Sequence, residues 1–280
     1  MNCAPNKKGD WTCYSKDQLI KMAEALNKNN NNKIRISGRT KNQLWENIRE
    51  ELFDECEYEW CWLDNPAIKN INDKELKDFT FKPAMPKEWN KNKYTWLTTT
   101  DISKVMRQYE KLYNDFRFFG PVPVDCPKDI YCELTNVDVN KMNKRGIKNL
   151  GVIFNLDRHY ESGSHWVGLF IDTKEKRICY YDSTGHPPPP YIKYFIETLK
   201  RQMGNNVKIE YNRRKHQFGG SECGIYSMNF LIESLKGKKL DDFEKKGISD
   251  FSVNILRQYL YRPSKNNKNN KNNGKNGRNN

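Results

Sequence analysis

Apolar residues recur at helical spacing in three stretches of the first 120 residues. Residues 15–28, SKDQLIKMAEALNK, begin with a serine and carry apolar side chains every three or four positions, and residues 42–53 repeat this pattern. Residues 98–120 open with Thr and Asp and close with Gly before Pro, which are start and stop signals of a helix. The pattern predicts three helices, two of them in a small helical N-terminal region.

The pattern changes from residue 150 onward. Short runs of β-branched and aromatic residues at 150–156, 165–172, 177–184 and 207–212 are separated by polar, turn-like segments, as is typical of strands. Residues 190–203 predict a helix that begins with proline, and a further apolar, helix-like segment follows Cys223. The order β-β-β-α-β-α predicts an α+β domain with a small mixed β-sheet.

Composition limits the class of protein. The 280 residues, 36% of them hydrophobic, suffice for one large domain or a domain with a smaller attachment. No apolar run is long enough to span a bilayer, and the N-terminus lacks the apolar region of a signal peptide, so we expect an intracellular protein without membrane contact. The eight cysteines are accordingly expected to be reduced thiols.

The formal net charge of +14 favours acidic partners. Part of it lies in residues 264–280, SKNNKNNKNNGKNGRNN, which have no apolar side chain and are expected to be disordered. The tail either binds nucleic acid or keeps the protein soluble, and its lack of interleaved aromatics favours solubility. Residues 27–35 form a similar polar insert, expected to be a surface loop.

Cys223 lies where a basic, glycine-broken loop runs into a helical segment, RRKHQFGGSECGIYSMNFLIESL (213–235). The N-terminus of a helix lowers the pKa of a cysteine, because free N–H groups and the helix dipole stabilise a thiolate. Gly219 and Gly220 permit a tight turn that could bring amide donors close to a reacting carbonyl. Because cysteines at helix starts more often serve packing, the residue alone leaves both a nucleophilic and a structural role open.

A nucleophilic thiol needs a base, and the chain has four histidines. His165 opens a predicted strand that would hold its ring rigidly, and Asp182 lies at the other end of the hairpin formed by residues 165–182. A strand-end histidine and a turn aspartate are also common without any catalytic role. His216, in a loop, is a weaker candidate, and His186, in a turn before four prolines, is expected to contact solvent.

Three stretches together resemble a known family: HWVGLFID, YYDST and QFGGSECGIYSMNFL. They are similar to the His-Trp, Asp-Ser and Gln-x5-Cys-Gly elements of the ubiquitin-like-protein protease superfamily, which includes the SUMO proteases and the adenovirus maturation protease. The resemblance implies a papain-like fold of the ubiquitin-like-protease type, with a small mixed sheet flanked by helices. We expect a helical N-terminal arm at 1–95, a catalytic domain at 96–262 and a disordered tail at 263–280.

The resemblance also implies a role for each matching residue. Cys223 would be the nucleophile, His165 the base, Asp182 the residue that orients the base, and Gln217 the side-chain donor of an oxyanion hole. The catalytic chemistry of such a set requires no metal and no organic cofactor.

Substrate contacts follow from the same comparison. Trp166 matches the aromatic residue that roofs a narrow substrate channel in the family, and Gly219 and Gly220 lie in the loop opposite. Only residues without a Cβ would pass such a slot, which fits a glycine pair ahead of the scissile bond.

A second resemblance is to the polyprotein-processing proteases of large cytoplasmic DNA viruses such as African swine fever virus. It rests on GHPPPPYIKYFIETLKRQM, WLTTTDISKVMRQYEKLYNDF and CEYEWCWLDNPAI. It implies a monomeric endopeptidase that cuts virion core precursors at Gly-Gly-Xaa sites, in the viral factory of the host cytoplasm and in the virion. Asp182 departs from the Asn of the swine fever enzyme, although either side chain accepts an imidazole N–H.

Two other functions remain open. A deubiquitinating or deSUMOylating isopeptidase would use the same residues and the same Gly-Gly preference. A basic nucleic-acid-associated core protein with a vestigial fold would explain the charge, and a basic surface and tail could also give a protease nonspecific contact with DNA.

The remaining cysteines allow one metal hypothesis. A four-thiolate zinc site could be drawn from Cys56, Cys61, Cys126 and Cys132, which are spaced C-x4-C and C-x5-C. The spacing is loose and no C-x2-C occurs, so buried free thiols are favoured and no metal is expected.

Overall fold

The computed structural model describes residues 2–7, 10–29, 33–54, 56–92 and 94–264. It has two compact units, Met1–Met85 with Tyr261–Asn280, and Pro86–Leu260. The units divide between Met85 and Pro86. The start of the catalytic domain at residue 96 stays a prediction. The predicted tail from residue 265 onward and the middle of the polar insert, 30–32, lie outside the described residues. No helix in the described ranges is both long and apolar enough to cross a membrane.

The first unit is helical, as the sequence predicts. Its helices are α1 (Lys16–Asn29), α2 (Lys41–Leu52), α3 (Pro66–Lys69) and α4 (Lys74–Phe79), with a 3-10 helix at Glu59–Asp64. Thr40 caps α2 by accepting the N–H of Gln43, whose side chain accepts the N–H of Thr40 in return. The core includes Tyr14 stacked on Trp62 with ring centres 5.7 Å apart.

The second unit contains a five-stranded sheet and the remaining helices. The strands are β1 (Phe116–Pro123), β2 (Asn149–Asn155), β3 (Trp166–Asp172), β4 (Arg177–Tyr181) and β5 (Lys208–Tyr211). The helices are α5 (Thr99–Leu112), α6 (Val139–Lys144), α7 (Pro190–Met203), α8 (Cys223–Leu235), α9 (Leu240–Lys245) and α10 (Asp250–Leu260), with a 3-10 helix at Lys87–Asn90.

The sheet is mixed, which confirms the predicted α+β class. Its order is β1-β2-β3-β4-β5, with β1 and β5 parallel to their neighbours and the three central strands antiparallel. In the β3–β4 hairpin, Gly168 pairs with Tyr181 and Asp172 with Arg177. His165 and Asp182, just outside the paired residues, are therefore brought together at the open end of this hairpin.

The prediction of one helix over 98–120 is wrong in its last part. Helix α5 ends at Leu112, and Phe116–Pro123 forms β1, parallel to β2. The side chains of Phe116 and Phe118 are buried. Burial of these aromatic side chains in the sheet favours a strand over continuation of the helix. The Gly-Pro pair therefore lies inside the strand and does not end a helix.

The two faces of the sheet differ in how closely a helix approaches. On one face, Leu150, Val152, Leu169 and other apolar side chains pack with those of α7 in one buried cluster. On the other face, a Cβ at Gly168 would lie 3.0 Å from the ring of Phe230 in α8, and one at Gly151 would lie 3.2 Å from Leu231 in the same helix. The glycines thus give α8 room to lie close to the central strands.

The expectation of eight reduced thiols is wrong in the structure, which pairs six of them. Disulfides join Cys3–Cys13, Cys56–Cys61 and Cys126–Cys132, with Cα atoms 5.2, 6.0 and 5.7 Å apart. Cys179 and Cys223 are free and buried. The expectation came from the inferred compartment, whereas local turns bring these cysteines within bridging distance.

We predict that unfolding the protein in guanidinium chloride without reductant exposes two titratable thiols per chain, and eight after reduction. Reaction with a chromogenic disulfide reagent measures the count. The variant Cys223→Ala should lower the unreduced count by one. Eight thiols in unreduced protein would show that the three pairs are not bonded.

Candidate active site

Cys223 is the first residue of α8, and its side chain is 1% exposed. A Cβ on the next residue, Gly224, would lie 3.1 Å from Leu97 and 3.3 Å from Trp166, so only glycine lets the helix start approach both side chains this closely. The hydroxyl of Ser227, one turn further, donates to the carbonyl of Trp166 at 3.0 Å. These contacts fix Cys223 beside the beginning of β3.

His165 directly precedes β3, and its backbone continues the sheet because its carbonyl accepts the N–H of Leu156 at 2.9 Å. Its ring Nε2 lies 2.7 Å from Oδ1 of Asp182, and the ring is also hydrogen bonded to Cys223. The imidazole therefore links the thiol to the carboxylate, as the sequence predicts for a base and its orienting residue.

The protonated form of His165 is favoured in this setting. Burial by itself lowers the pKa of the imidazole, but the hydrogen bonds and charges of Asp182 and Cys223 outweigh it and raise the pKa to about 9. A thiolate paired with an imidazolium is the reactive form of a cysteine nucleophile.

Asp182 follows β4 and is 1% exposed. Oδ1 accepts the N–H and the hydroxyl of Thr184 at 2.8 and 2.7 Å, and the backbone is held by the carboxamide of Asn212 at 2.8 and 2.6 Å. Burial raises the pKa of the carboxyl, but the bond to His165 and those from Thr184 outweigh it, so the pKa lies below its usual range. Asp182 therefore faces the imidazole as a carboxylate.

Sequence reasoning missed the residues that hold Asp182. Asn212 is fully buried just after β5, and Thr184 follows Asp182 in the turn. His186 is exposed, as predicted, yet its Nδ1 also bonds Thr184 at 2.8 Å and lies 3.8 Å from Asp182. In the sequence, Asn212 is marked only by its place after a short predicted strand. That place does not show that its side chain binds the backbone of Asp182 at the end of another strand.

Gln217 is held in one orientation. The hydroxyl of Ser183 donates to its Oε1 at 2.6 Å, and its Nε2 donates to the carbonyl of Gly219 at 2.9 Å. The backbone N–H groups of His216 and Gln217 both donate to the carbonyl of Ser183. Because Nε2 carries two hydrogens, the second is available to an oxygen anion.

His216, the weaker candidate base, contacts Tyr181. Its ring is buried, stacks on Tyr181 and lies 2.9 Å from the Tyr181 hydroxyl. Burial lowers its pKa, with Arg214 adding to the effect, so the imidazole is held in the neutral form. The structure thus joins His165, and not His216, to Cys223.

Cys179 is the other cysteine outside the disulfides. It lies in β4, and burial raises the pKa of its thiol to about 11 despite the neighbouring Arg177. The second free thiol of the chain is accordingly held protonated.

Two clefts border the site within the second unit. One, of about 640 Å³, is lined by Trp166, Trp96 and Leu97 among others, and a second, of about 660 Å³, is lined by Trp96, Gly220 and Glu222 among others. Trp96 borders both clefts and was missed by sequence reasoning. Gly219, predicted to contact substrate, faces the Glu222 carboxylate, which a Cβ there would approach to 2.5 Å.

The four cysteines of the zinc hypothesis do not form a thiolate site in the structure. Each of the cysteines it requires is part of a disulfide, with Cys56 and Cys61 in the first unit and Cys126 and Cys132 in the second. Among the described residues, no group of three or more His, Cys, Asp or Glu side chains is arranged to hold a metal ion.

Comparison with known proteins shows the family to which the chain belongs. The model of the Ulp1 protease family, C-terminal catalytic domain, matches residues 127–270, a range that contains Cys223, His165, Asp182 and Gln217. A protein of Acanthamoeba polyphaga mimivirus named as a thiol protease is 33% identical over 286 residues, which span 94% of each chain. The chain therefore belongs to the Ulp1 protease family, and it is a cysteine protease, a hydrolase that acts on protein.

A second viral protein is related over a shorter stretch. The SUMO-1 cysteine protease of African swine fever virus is 28% identical over 128 residues, 42% of this chain and 46% of the relative. A crystal structure of the protease from that virus superposes with a TM-score of 0.70 over 94% of this chain and 96% of that one, at 20% identity. This likeness confirms the predicted fold.

We predict that Asp182→Asn lowers the pKa of His165 well below about 9, because it removes the charge that favours the imidazolium. Because the pKa is raised on folding, the stability this pair contributes is complete below about pH 6.5 and is lost as the pH rises through about 9. NMR titration of the imidazole, assigned with His165→Gln, measures the pKa.

Asp125→Asn is the matched control, since Asp125 is also 1% exposed and lies 2.7 Å from the ring of His159. It should leave the pKa of His165 unchanged. A pKa that stays near 9 in Asp182→Asn would mean that the carboxylate does not set it.

Proposed function

We propose that this protein is an endopeptidase that cuts precursors of viral structural proteins after Gly-Gly during virion maturation, with Cys223 as the nucleophile. The observation that carries the proposal is the hydrogen-bonded series Cys223–His165–Asp182 at the N-terminus of α8, bordered by Trp166 and Trp96.

The reaction follows from these positions. The thiolate of Cys223 attacks the carbonyl carbon before the scissile bond, and the resulting oxyanion accepts hydrogen bonds from Nε2 of Gln217 and the N–H of Cys223. The imidazolium of His165 gives its proton to the leaving amine, so that the C–N bond breaks and a thioester remains. His165 then takes a proton from water, which attacks the thioester and releases the acid and the thiol.

The preference for Gly-Gly rests on the width of the approach to Cys223. Trp166 is buried beside the start of α8, Trp96 is exposed, and both line the first cleft. A substrate backbone lying in a cleft lined by two indoles would have less room for side chains, which favours residues without a Cβ next to the scissile bond.

The viral context is supported by the relatives. The mimivirus thiol protease matches along 94% of its length, and the African swine fever virus protease shares the fold over 94% of this chain. We infer that the protein acts as a monomer in the host cytoplasm, at the viral factory, and in the virion. Its natural partner would be a core or capsid polyprotein with Gly-Gly sites.

A deconjugating enzyme that removes ubiquitin or a ubiquitin-like modifier is the alternative within the same family. The same catalytic residues and the same Gly-Gly preference would serve it. The two functions differ in whether a folded modifier or an extended peptide ahead of the scissile bond is required.

We predict that the wild-type protein cleaves a short Gly-Gly-Ala peptide and leaves ubiquitin and SUMO fusions intact. Cys223→Ala should abolish turnover, since it removes the nucleophile. Cys179→Ala, which removes the other free thiol, should retain it. Mass spectrometry of the products identifies the bond that is cut.

Preference for the fusions over the peptide would favour the deconjugating enzyme. Turnover of the peptide by Cys223→Ala would contradict the assignment of the nucleophile.

We further propose nonspecific contact with DNA through the basic surface and the tail. Beyond the net charge of +14, the surface carries cations over aromatic rings, with Arg213 over Tyr211 and Lys215 over the exposed ring of Phe218. Basic residues interleaved with aromatics suit nucleic acid better than charge alone.

Deleting residues 264–280 should weaken retention on a DNA column and lower its dependence on salt, while peptide cleavage stays unchanged. Equal retention of the truncated and full chains across a salt gradient would remove the tail from this proposal.

A further inference from the structure

One face of α10 is directed at the loop that precedes the nucleophile. Asp250, Asn254 and Arg257 are spaced four and three residues apart, so they lie on the same side of the helix. Each makes hydrogen bonds that hold the loop formed by residues 217–222, either directly or through Glu222. We call this loop the nucleophile loop.

Asp250 holds the middle of the nucleophile loop. Its Oδ2 accepts the backbone N–H groups of Phe218 and Gly219 at 2.8 and 2.7 Å, and its Oδ1 accepts the hydroxyl of Tyr226 at 3.0 Å. The carboxylate therefore ties the loop to both α10 and α8. Because these two amides are already bonded to Asp250, we assign the oxyanion to Gln217 and the N–H of Cys223.

Asn254 acts through Glu222, the residue before the nucleophile. Nδ2 of Asn254 donates to Oε1 of Glu222 at 3.1 Å, while the same carboxylate accepts the N–H and the hydroxyl of Ser221 at 2.9 and 3.1 Å. Glu222 is 5% exposed, so these bonds keep a buried carboxylate in one place directly beside Cys223.

Arg257 links the loop to the segment that carries Trp96. Its guanidinium is 3% exposed and donates to the carbonyls of Ser221 at 2.9 Å and Thr95 at 3.1 Å. It also lies 4.8 Å from the centre of the Trp89 ring, and its Nε donates to Asn254 at 2.8 Å. The guanidinium thus connects Thr95 and Ser221, which lie on the lining of the second cleft, and fixes the distance between them.

We infer that α10 is a clamp that positions the oxyanion hole, with Asp250 and Arg257 as positioning residues for the reaction of Cys223. The inference rests on the proposed function, since it assumes that Gln217 and the Cys223 amide stabilise an oxyanion. The thiol and the imidazole are positioned chiefly by the contact of α8 with Trp166 of β3 and by Asp182, and Asp250 adds to them only its bond to Tyr226 in α8. The clamp therefore acts on oxyanion binding and not on the formation of the nucleophile.

This division can be measured, because alkylation of a thiolate by iodoacetamide forms no oxyanion whereas peptide cleavage does. We predict that Asp250→Ala lowers kcat for the Gly-Gly-Ala peptide about tenfold or more, with KM little changed, since small displacements of catalytic groups have effects of this order. The rate of alkylation of Cys223 should stay within about twofold of the wild-type rate.

Asp250→Asn should restore most of kcat, because a carboxamide oxygen can accept the two amides while its nitrogen donates to Tyr226. Gln258→Ala, on the exposed side of α10, is the control for effects of the helix as a whole. If Asp250→Ala does not fold, as judged by its thermal unfolding, Asn254→Ala provides the same comparison through Glu222.

Unchanged kcat in the folded variant would overturn the inference, and so would an equal fall of kcat and of the alkylation rate. Failure of the proposed function looks different, because the wild-type protein would then not cleave the peptide at all.

Discussion

Helix α8 approaches the sheet closely because glycine lies where the two surfaces meet. A side chain at Gly168 would press on Phe230, and one at Gly224 would press on Leu97 and Trp166. Every other part of the site depends on this approach, since it brings the N-terminus of α8 to the residue that begins β3. A helix held one side chain further from the strands would leave Cys223 out of reach of His165.

The charged side chains of the site are buried, so hydrogen-bonded partners in the protein stabilise their charges in place of water. Burial of Asp182 opposes its ionisation, and the imidazole of His165 and the turn of Thr184 reverse this effect. The same carboxylate then raises the pKa of His165. Since breaking one half of a buried pair costs about 3–5 kcal/mol, the histidine and the aspartate act as one unit, and Asn212 fixes where that unit lies.

The nucleophile loop is held from two sides. Ser183, which follows Asp182, fixes Gln217 by its hydroxyl and its carbonyl, and α10 holds the next residues through Asp250. Asp182 and Gln217 are therefore attached to the same turn after β4. Such a loop needs little rearrangement when negative charge develops on a substrate.

Local patterns in the sequence determined most of the elements and the chemical candidates. Helical period and caps predicted α1, α2, the start of α5, α7 and α8, and runs of β-branched and aromatic residues predicted four of the five strands. The resemblance of the His, Asp, Gln and Cys motifs to a known family indicated a thiol hydrolase. Tertiary structure decided what depends on contacts between distant residues. It placed Phe116–Pro123 in the sheet and brought Asn212, Trp96 and α10 to the site. These contacts join positions far apart in the chain, so the free energy that selects them comes from burial and hydrogen bonds that no local spacing encodes.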